Sequence, residues 1–370
     1  MKLQDAVAPF IQDIVGRQLL KNQAQALGIF VACALTLGRS ILTDLAVEVQ
    51  RQGYAKTVKA ALKRVDRWIN NPRIHISQAM EPLVQRLLQK RRKKLILSLD
   101  WVDIRGFACL AAATSLKGRA VWLMWKSLPK DGLNLHMNRV EEEVLCALRS
   151  MIPNSLGVII LADRGFHKSR MFTACQLRGF DYVIRIKGDY HVQSRRYQGL
   201  LSKLPLKPGT SRFWSQVFCG LKPRVKQNVV IYYRQNLPDR RDGPWFLATS
   251  LKGRPEQIVK LYARRMDIEE CFRDKKSVNN GWGLRHMRIH TAEGLDHLLL
   301  ILALAYLILC GLGLYALGHL QPRLWCANNR AGECSLFTIG RRLLGQLQVT
   351  IKQLFTEIEL CSKSLTPRWG

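Results

Sequence analysis

The sequence predicts a mixed α/β protein in which helical segments at both ends flank a central sheet, and three observations predict it. Near residue 94 the apolar pattern changes from three-and-four spacing to short continuous runs. Beyond that point strand-like and helix-like segments alternate, as in a sheet covered by helices. From 189 to 244 only short β-rich pieces stand between Pro and Gly, the pattern of a β-rich insertion.

Each element follows in order. Residues 1–92 are helical: GIFVACALTL leads into LTDLAVEVQRQGYAKTVKAALKRVDRWI, where apolar positions recur three and four apart and Lys56, Lys59, Lys63, Arg64 and Arg67 punctuate them. Asn70, Asn71 and Pro72 break that pattern. KKLILSLD, FACLAAATSL and AVWLMWKSL then form an antiparallel group with a K-G-R turn between the last two. NLHMNRVEEEVLCALRSMI is a helix, GVIILAD a buried strand, HKSRMFTACQLRG a helix and FDYVIRIKG a strand. After the 189–244 insertion WFLATS resumes the sheet, and EQIVKLYARRMDIEECFRDKKS is expected as one long helix. Core material therefore spans 93–320, and 321–370 is helical and basic.

Composition narrows the function. At 370 residues and 48 % apolar positions the chain can build sizeable cores, which excludes a disordered class. Its 58 Lys and Arg against 27 Asp and Glu leave a net +31 spread along the whole length, which implies a polyanionic partner. The ten cysteines, among them Cys33, Cys109, Cys146, Cys271, Cys326 and Cys334, show no C-x-x-C pair and no zinc spacing, so reduced core cysteines in a cytoplasmic protein are expected. MKLQDAVAPFIQDIVG has no basic-then-apolar signal pattern. Residues 298–318 are uncharged and mostly apolar, long enough to span a bilayer at about 1.5 Å per residue. A helix apolar all round also suits the middle of a large core, and that reading is preferred, with no membrane partner.

Two acids sit where apolar strand runs stop, Asp100 in LSLDWVD and Asp163 in LADRGF. Carboxylates so placed can hold divalent cations together with phosphate oxygens. On the expected long helix Tyr262, Arg265, Glu269 and Lys276 fall within about 60° of one another, whereas Glu270 lies about 80° to the other side of Tyr262 and Asp267 about 140° around. Glu269 is therefore the favoured third acid, with two bases and a phenol on its stripe.

Y-x2-R-x3-E-x6-K, here YARRMDIEECFRDKK, resembles the signature of bacterial insertion-sequence transposases of the DDE class, in the group named for that Tyr-Arg-Glu-Lys motif. With LSLDWVD and LADRGF the resemblance runs from about residue 90 to 310. It implies a ribonuclease H-like catalytic core over 93–320, interrupted by the 189–244 insertion, with 1–92 as a helical DNA-binding region. It also implies Asp100, Asp163 and Glu269 as catalytic residues holding two Mg²⁺ or Mn²⁺ ions, and Tyr262, Arg265 and Lys276 as DNA-phosphate contacts. Trp245 is the match for an aromatic that stacks a flipped base in such enzymes, and Arg185 in YVIRIKG is a further candidate DNA contact beside Lys187. Met266 departs from the Trp common at that position. The implied partners are double-stranded DNA, at the element's terminal inverted repeats and at the target, and a second copy of the chain in the synaptic complex, in the nucleoid-associated cytoplasm of a bacterium. A metal-dependent nuclease without strand transfer and a basic membrane-associated protein are the alternatives.

Overall fold

The change of period near residue 94 falls where the first strand begins. The computed structural model describes residues 3–37, 41–89, 91, 94–195, 197–220, 225–234, 243–276, 282–284, 287–327, 333–346 and 349–364; the expected boundary at 92/93 lies outside them. Helices α1 (Leu3–Val15), α2 (Lys21–Leu37), α3 (Leu42–Arg51), α4 (Val58–Ile69) and α5 (Ile76–Leu88) come first. Thr57 caps α4 by accepting from Ala60 N at 3.1 Å, and the helix ends at Asn70, just ahead of Asn71 and Pro72.

Strands β1 (Leu95–Ile104), β2 (Phe107–Leu116) and β3 (Arg119–Pro129) form an antiparallel meander. The β2–β3 turn places Lys117 at φ 46° and Gly118 at φ 77°, the two left-handed residues that a tight hairpin of matching twist requires. Then follow α6 (Leu133–Met151), β4 (Val158–Ala162), α7 (Ser169–Leu177), β5 (Phe180–Ile186), β6 (His191–Gln193), β7 (Gln198–Leu200), β8 (Ser211–Cys219), β9 (Val225–Tyr232) and β10 (Trp245–Thr249). The strands make one mixed sheet of ten, in the order β3-β2-β1-β4-β5-β10-β9-β8-β6-β7, with β4 parallel to both β1 and β5. The β-rich segment 189–244 does not stand apart: β9 pairs with β10, and β8, β6 and β7 extend the same sheet outward.

The C-terminal third departs from expectation at one point. Instead of one long helix, α8 (Pro255–Ala263) and α9 (Met266–Lys276) are separated by a turn in which Arg264 N and Arg265 N bond three residues back, to Leu261 O and Tyr262 O. The turn creates a new helix start at which Asp267 and Glu269 face the positive end of the α9 dipole, and Arg273, Lys275 and Lys276 its negative end. Helices α10 (Ala292–His319), α11 (Leu336–Leu343) and α12 (Ile351–Ser364) follow. By length and composition α10 could cross a membrane, yet 94 % of its most apolar window is buried inside the protein. It packs against α2, α11, α12 and β3. The α10–α11 crossing is too close for side chains at two points: a Cβ on Gly313 would lie 2.2 Å from Leu336 O, and one on Gly340 2.0 Å from Leu309 O.

Strand alternation divides the core. Leu95, Leu97 and Leu99 of β1 join the large core, whereas Ile96, with Ile159 and Leu161 of β4, joins a smaller one formed with Ile258, Leu261 and Tyr262 of α8. That second face carries the acids.

Candidate active site

Register puts Asp100 and Asp163 side by side. In the parallel pair of β1 and β4, Leu99 lies opposite Ala162, so the next residue on each strand is the acid. Each keeps the parity of the smaller core, Asp100 with Ile96 and Asp163 with Ile159 and Leu161, and so faces α8 and α9 at the carboxyl end of β4. Open α/β sheets build ligand sites at such strand ends. Asp163 caps the short 3₁₀ turn Arg164–Phe166, its Oδ1 accepting from Gly165 N at 2.8 Å. A Cβ at Gly165 would stand 3.0 Å from that oxygen, so the turn closes tightly on the carboxylate.

Arg265 completes the centre. Its Nη1 lies 3.3 Å from Asp100 Oδ2, and its Nη2 donates to Glu269 Oε1 one turn along. The guanidinium side chain is only 11 % exposed. Burial pushes the Asp100 carboxyl up to about 7; Arg265 pulls it down, and Asp163 and Glu269 push it further up. Two of the three carboxylates, Asp100 and Glu269, therefore share one guanidinium.

The other acids of α9 point elsewhere. Glu270 meets Arg273 at 2.9 Å and Arg119 at 3.7 Å, and burial raises Asp267, which interacts with Ser115 and Arg264. Tyr262 is buried in the smaller core, with the Arg265 guanidinium 6.0 Å from its ring. Trp245 packs edge-on against Tyr262 at 5.5 Å, and the Arg185 guanidinium lies 5.3 Å from the Trp245 ring. Arg185, Trp245, Tyr262 and Arg265 thus form a line of two aromatic rings between two cations that ends at Asp100. Lys276, half-buried at the last residue of α9, is two turns beyond Glu269.

Two features escaped the sequence reading. Arg164, next to Asp163, lines a cavity of about 470 Å³ with Arg185, Lys187, Ser202 and Phe246; a base directly after a strand-end acid was the available signal. Glu141, in the EEE run of α6, is buried, accepts from Trp101 Nε1 at 3.3 Å and lies 3.5 Å from Lys168 Nζ. It ties the residue after Asp100 to the loop after Asp163, a link that no local pattern signals.

The donor set suits a hard divalent cation, being oxygen only and carrying more negative charge than Arg265 balances. As the side chains stand, Arg265 spans two of the acids, and no three His, Cys, Asp or Glu among the described residues converge closely enough to hold an ion.

Strands β1 to β5, in the order 3-2-1-4-5 with Asp100 in the middle of β1 and Asp163 just past the end of β4, define a ribonuclease H-like core of a nucleic-acid-acting enzyme. Residues 134–308 match the family model described as a transposase DDE domain, and this match supports a transposase of the DDE class. The match includes Asp163 and Glu269 and begins after Asp100. No curated protein matches the chain. Enzymes of this class generally use divalent metal ions and bind DNA.

Proposed function

We propose that this protein is a cut-and-paste DNA transposase of the Tyr-Arg-Glu-Lys signature group, with Asp100, Asp163 and Glu269 as its catalytic acids. The observation that carries the reading is the convergence of Arg265 on Asp100 and Glu269, beside the strand pairing that sets Asp163 next to Asp100. In the first reaction water attacks the phosphodiester at the element end and the bond to the 3′-oxygen breaks, leaving a free 3′-hydroxyl. In the second that hydroxyl attacks a target phosphodiester, joins its phosphate and releases a target 3′-hydroxyl. Both are in-line displacements at phosphorus. The three acids would hold two Mg²⁺ or Mn²⁺ ions, which when bound supply positive charge to the attacking and leaving oxygens.

The protein's own groups do the rest. Arg265 offers a planar two-pronged donor to phosphate oxygens. Lys276 and Arg185 hold the strand on either side, and Trp245 offers a stacking face for a base taken out of the duplex. Residues 1–92 bind the element's terminal inverted repeats, the core over 93–320 carries the chemistry, and pairing of two ends requires two copies of the chain. The setting is the bacterial cytoplasm, on the nucleoid.

The test is cleavage and joining by wild type and Glu269→Ala, on duplexes carrying the element's ends with a target plasmid, in Mg²⁺ or EDTA. Metal-dependent cutting and joining by wild type, abolished in the variant while DNA binding persists, is the expected result. Equal activity in the variant overturns the assignment of Glu269, and cutting without joining replaces transposition with a nuclease.

A further inference from the structure

The two faces of α4 are put to different uses. Its inner face is locked: Ala61, Val65, Trp68 and Ile69 are buried, and Trp68 Nε1 donates to Gln23 O at 3.1 Å. The ring of His297 from α10 is wedged against the end of the helix, with Nδ1 2.5 Å from Ile69 O and Nε2 2.9 Å from Ile74 O. Trp68 packs edge-on against both Phe30, at 5.7 Å, and His297, at 6.0 Å. Sliding or rotating α4 against α10 would break the contacts of His297 with Ile69 and Trp68.

The outer face is mostly basic, with Asp66 as its one acid. Lys59, Lys63 and Arg67 are exposed along one stripe, with Lys56 just ahead of the Thr57 cap. Among the described residues Lys56, Lys59 and Lys63 enter no ion pair, while Arg64 and Arg67 donate to the carbonyls of Tyr54 and Lys63. Between these cations stand two apolar side chains, Val58 at 42 % and Leu62 at 39 % exposure. A merely solvated helix face gains from i,i+4 acid–base pairs and nothing from exposed Val or Leu. A face that meets DNA uses both kinds of residue, Lys for phosphates and guanine edges and small apolar groups for thymine methyls. The size also agrees, since a helix with its side chains is about 10–12 Å across and the major groove is about 12 Å wide.

We infer that α4 is the helix by which this protein reads the ends of its element, its Lys59–Leu62–Lys63 face lying in the major groove of duplex DNA. The inference rests on the transposase reading above and adds to it a recognition element and a coupling. Because α4 is locked to α10, the next described helix after the one carrying Glu269, the bases that α4 selects fix which phosphate reaches the carboxylates.

The test compares binding to duplexes from the DNA on either side of the coding sequence with binding to scrambled duplexes of equal length, over a range of salt. For the Lys59→Ala, Lys63→Ala double variant we expect about tenfold or greater loss of affinity for end duplexes and a log–log salt slope smaller by about 2. Leu62→Ala is expected to narrow the preference for ends over scrambled DNA while hardly changing affinity for the latter. Lys352→Ala, on the exposed side of α12, serves as the control, and unchanged melting temperatures show that each variant is folded. Wild-type affinity and slope in the double variant, or equal losses on both duplexes in Leu62→Ala, overturn the role of α4. If wild type cuts and prefers its ends while the α4 variants match it, this inference alone falls; if wild type neither prefers nor cuts them, the transposase reading falls with it.

Discussion

Helix α9 separates two clusters of arginine and carboxylate that use the same side chains to opposite ends. On one side Arg119 Nε lies 2.7 Å from Asp274 Oδ2, Tyr306 donates its hydroxyl to the same oxygen at 2.8 Å, and Arg119 and Arg273 both reach Glu270. Two acids meet two guanidiniums and a phenol there. On the other side Arg265 faces both Asp100 and Glu269, with Asp163 adjacent, and the Asp100 carboxyl is pushed up to about 7. The first arrangement is closed by its own partners. The second leaves negative charge unbalanced at a sheet end, a local inconsistency that stability alone would not favour and that a cation or a phosphate-bound cation would relieve.

Stability should separate the clusters first. Asp274→Ala takes its 2.7 Å partner from a largely buried guanidinium, which keeps only Glu270 at 3.7 Å as a nearby acid, and should cost about 3 kcal/mol in urea unfolding. Glu269→Ala removes a carboxylate whose side chain is 39 % exposed and which repels its neighbours, and should change stability by no more than about 0.5 kcal/mol. Equal losses in the two variants would erase the distinction. A somewhat smaller effect should appear with metal: saturating Mg²⁺ at about 100 times its dissociation constant should stabilise wild type by about 2.7 kcal/mol. Asp100→Asn and Asp163→Asn should lose that gain and Asp274→Asn should keep it. A thermal shift in none of the proteins would deny the carboxylate centre its cation.

How far the sequence foresaw this depends on range. Asp163 follows the end of its strand as expected, whereas β1 runs four residues past Asp100, to Ile104; the hairpin turn was legible because Lys117 and Gly118 carry its chemistry within two residues. The turn at Arg264 and Arg265 was not legible. It positions a guanidinium for Asp100, 165 residues away in the chain, and no spacing rule contains that contact. The ten-stranded sheet was hidden for a similar reason, since β6 and β7 are three residues long and owe their existence to pairing partners. The wheel drawn on one unbroken helix still placed Arg265 and Glu269 together, because a turn with bonds three residues back preserves helical sense across the break.

Lys275 gives the finest comparison, being the neighbour of Lys276 yet turned inward to the closed cluster. It is 1 % exposed, with its ammonium 3.3 Å from the centre of the Trp122 ring and 5.4 Å from that of Tyr306. Burial pushes its pKa down to about 8, only partly offset by nearby Cys271, Cys109, Cys310 and Asp274. Below pH 8 both the folded and the unfolded chain carry this proton, and the full cost of the buried charge is present. Between pH 8 and the ordinary lysine value of 10.5 the folded protein has released it while the unfolded chain still holds it, so stability from this group rises with pH. Lys275→Met should remove that rise, because the aromatic slot then holds an apolar chain of similar length at every pH. Melting temperatures from pH 7.5 to 10 measure it: a wild-type curve that climbs relative to the variant shows that the slot releases the proton in this range, and parallel curves mean that Lys275 keeps its proton in the folded protein throughout.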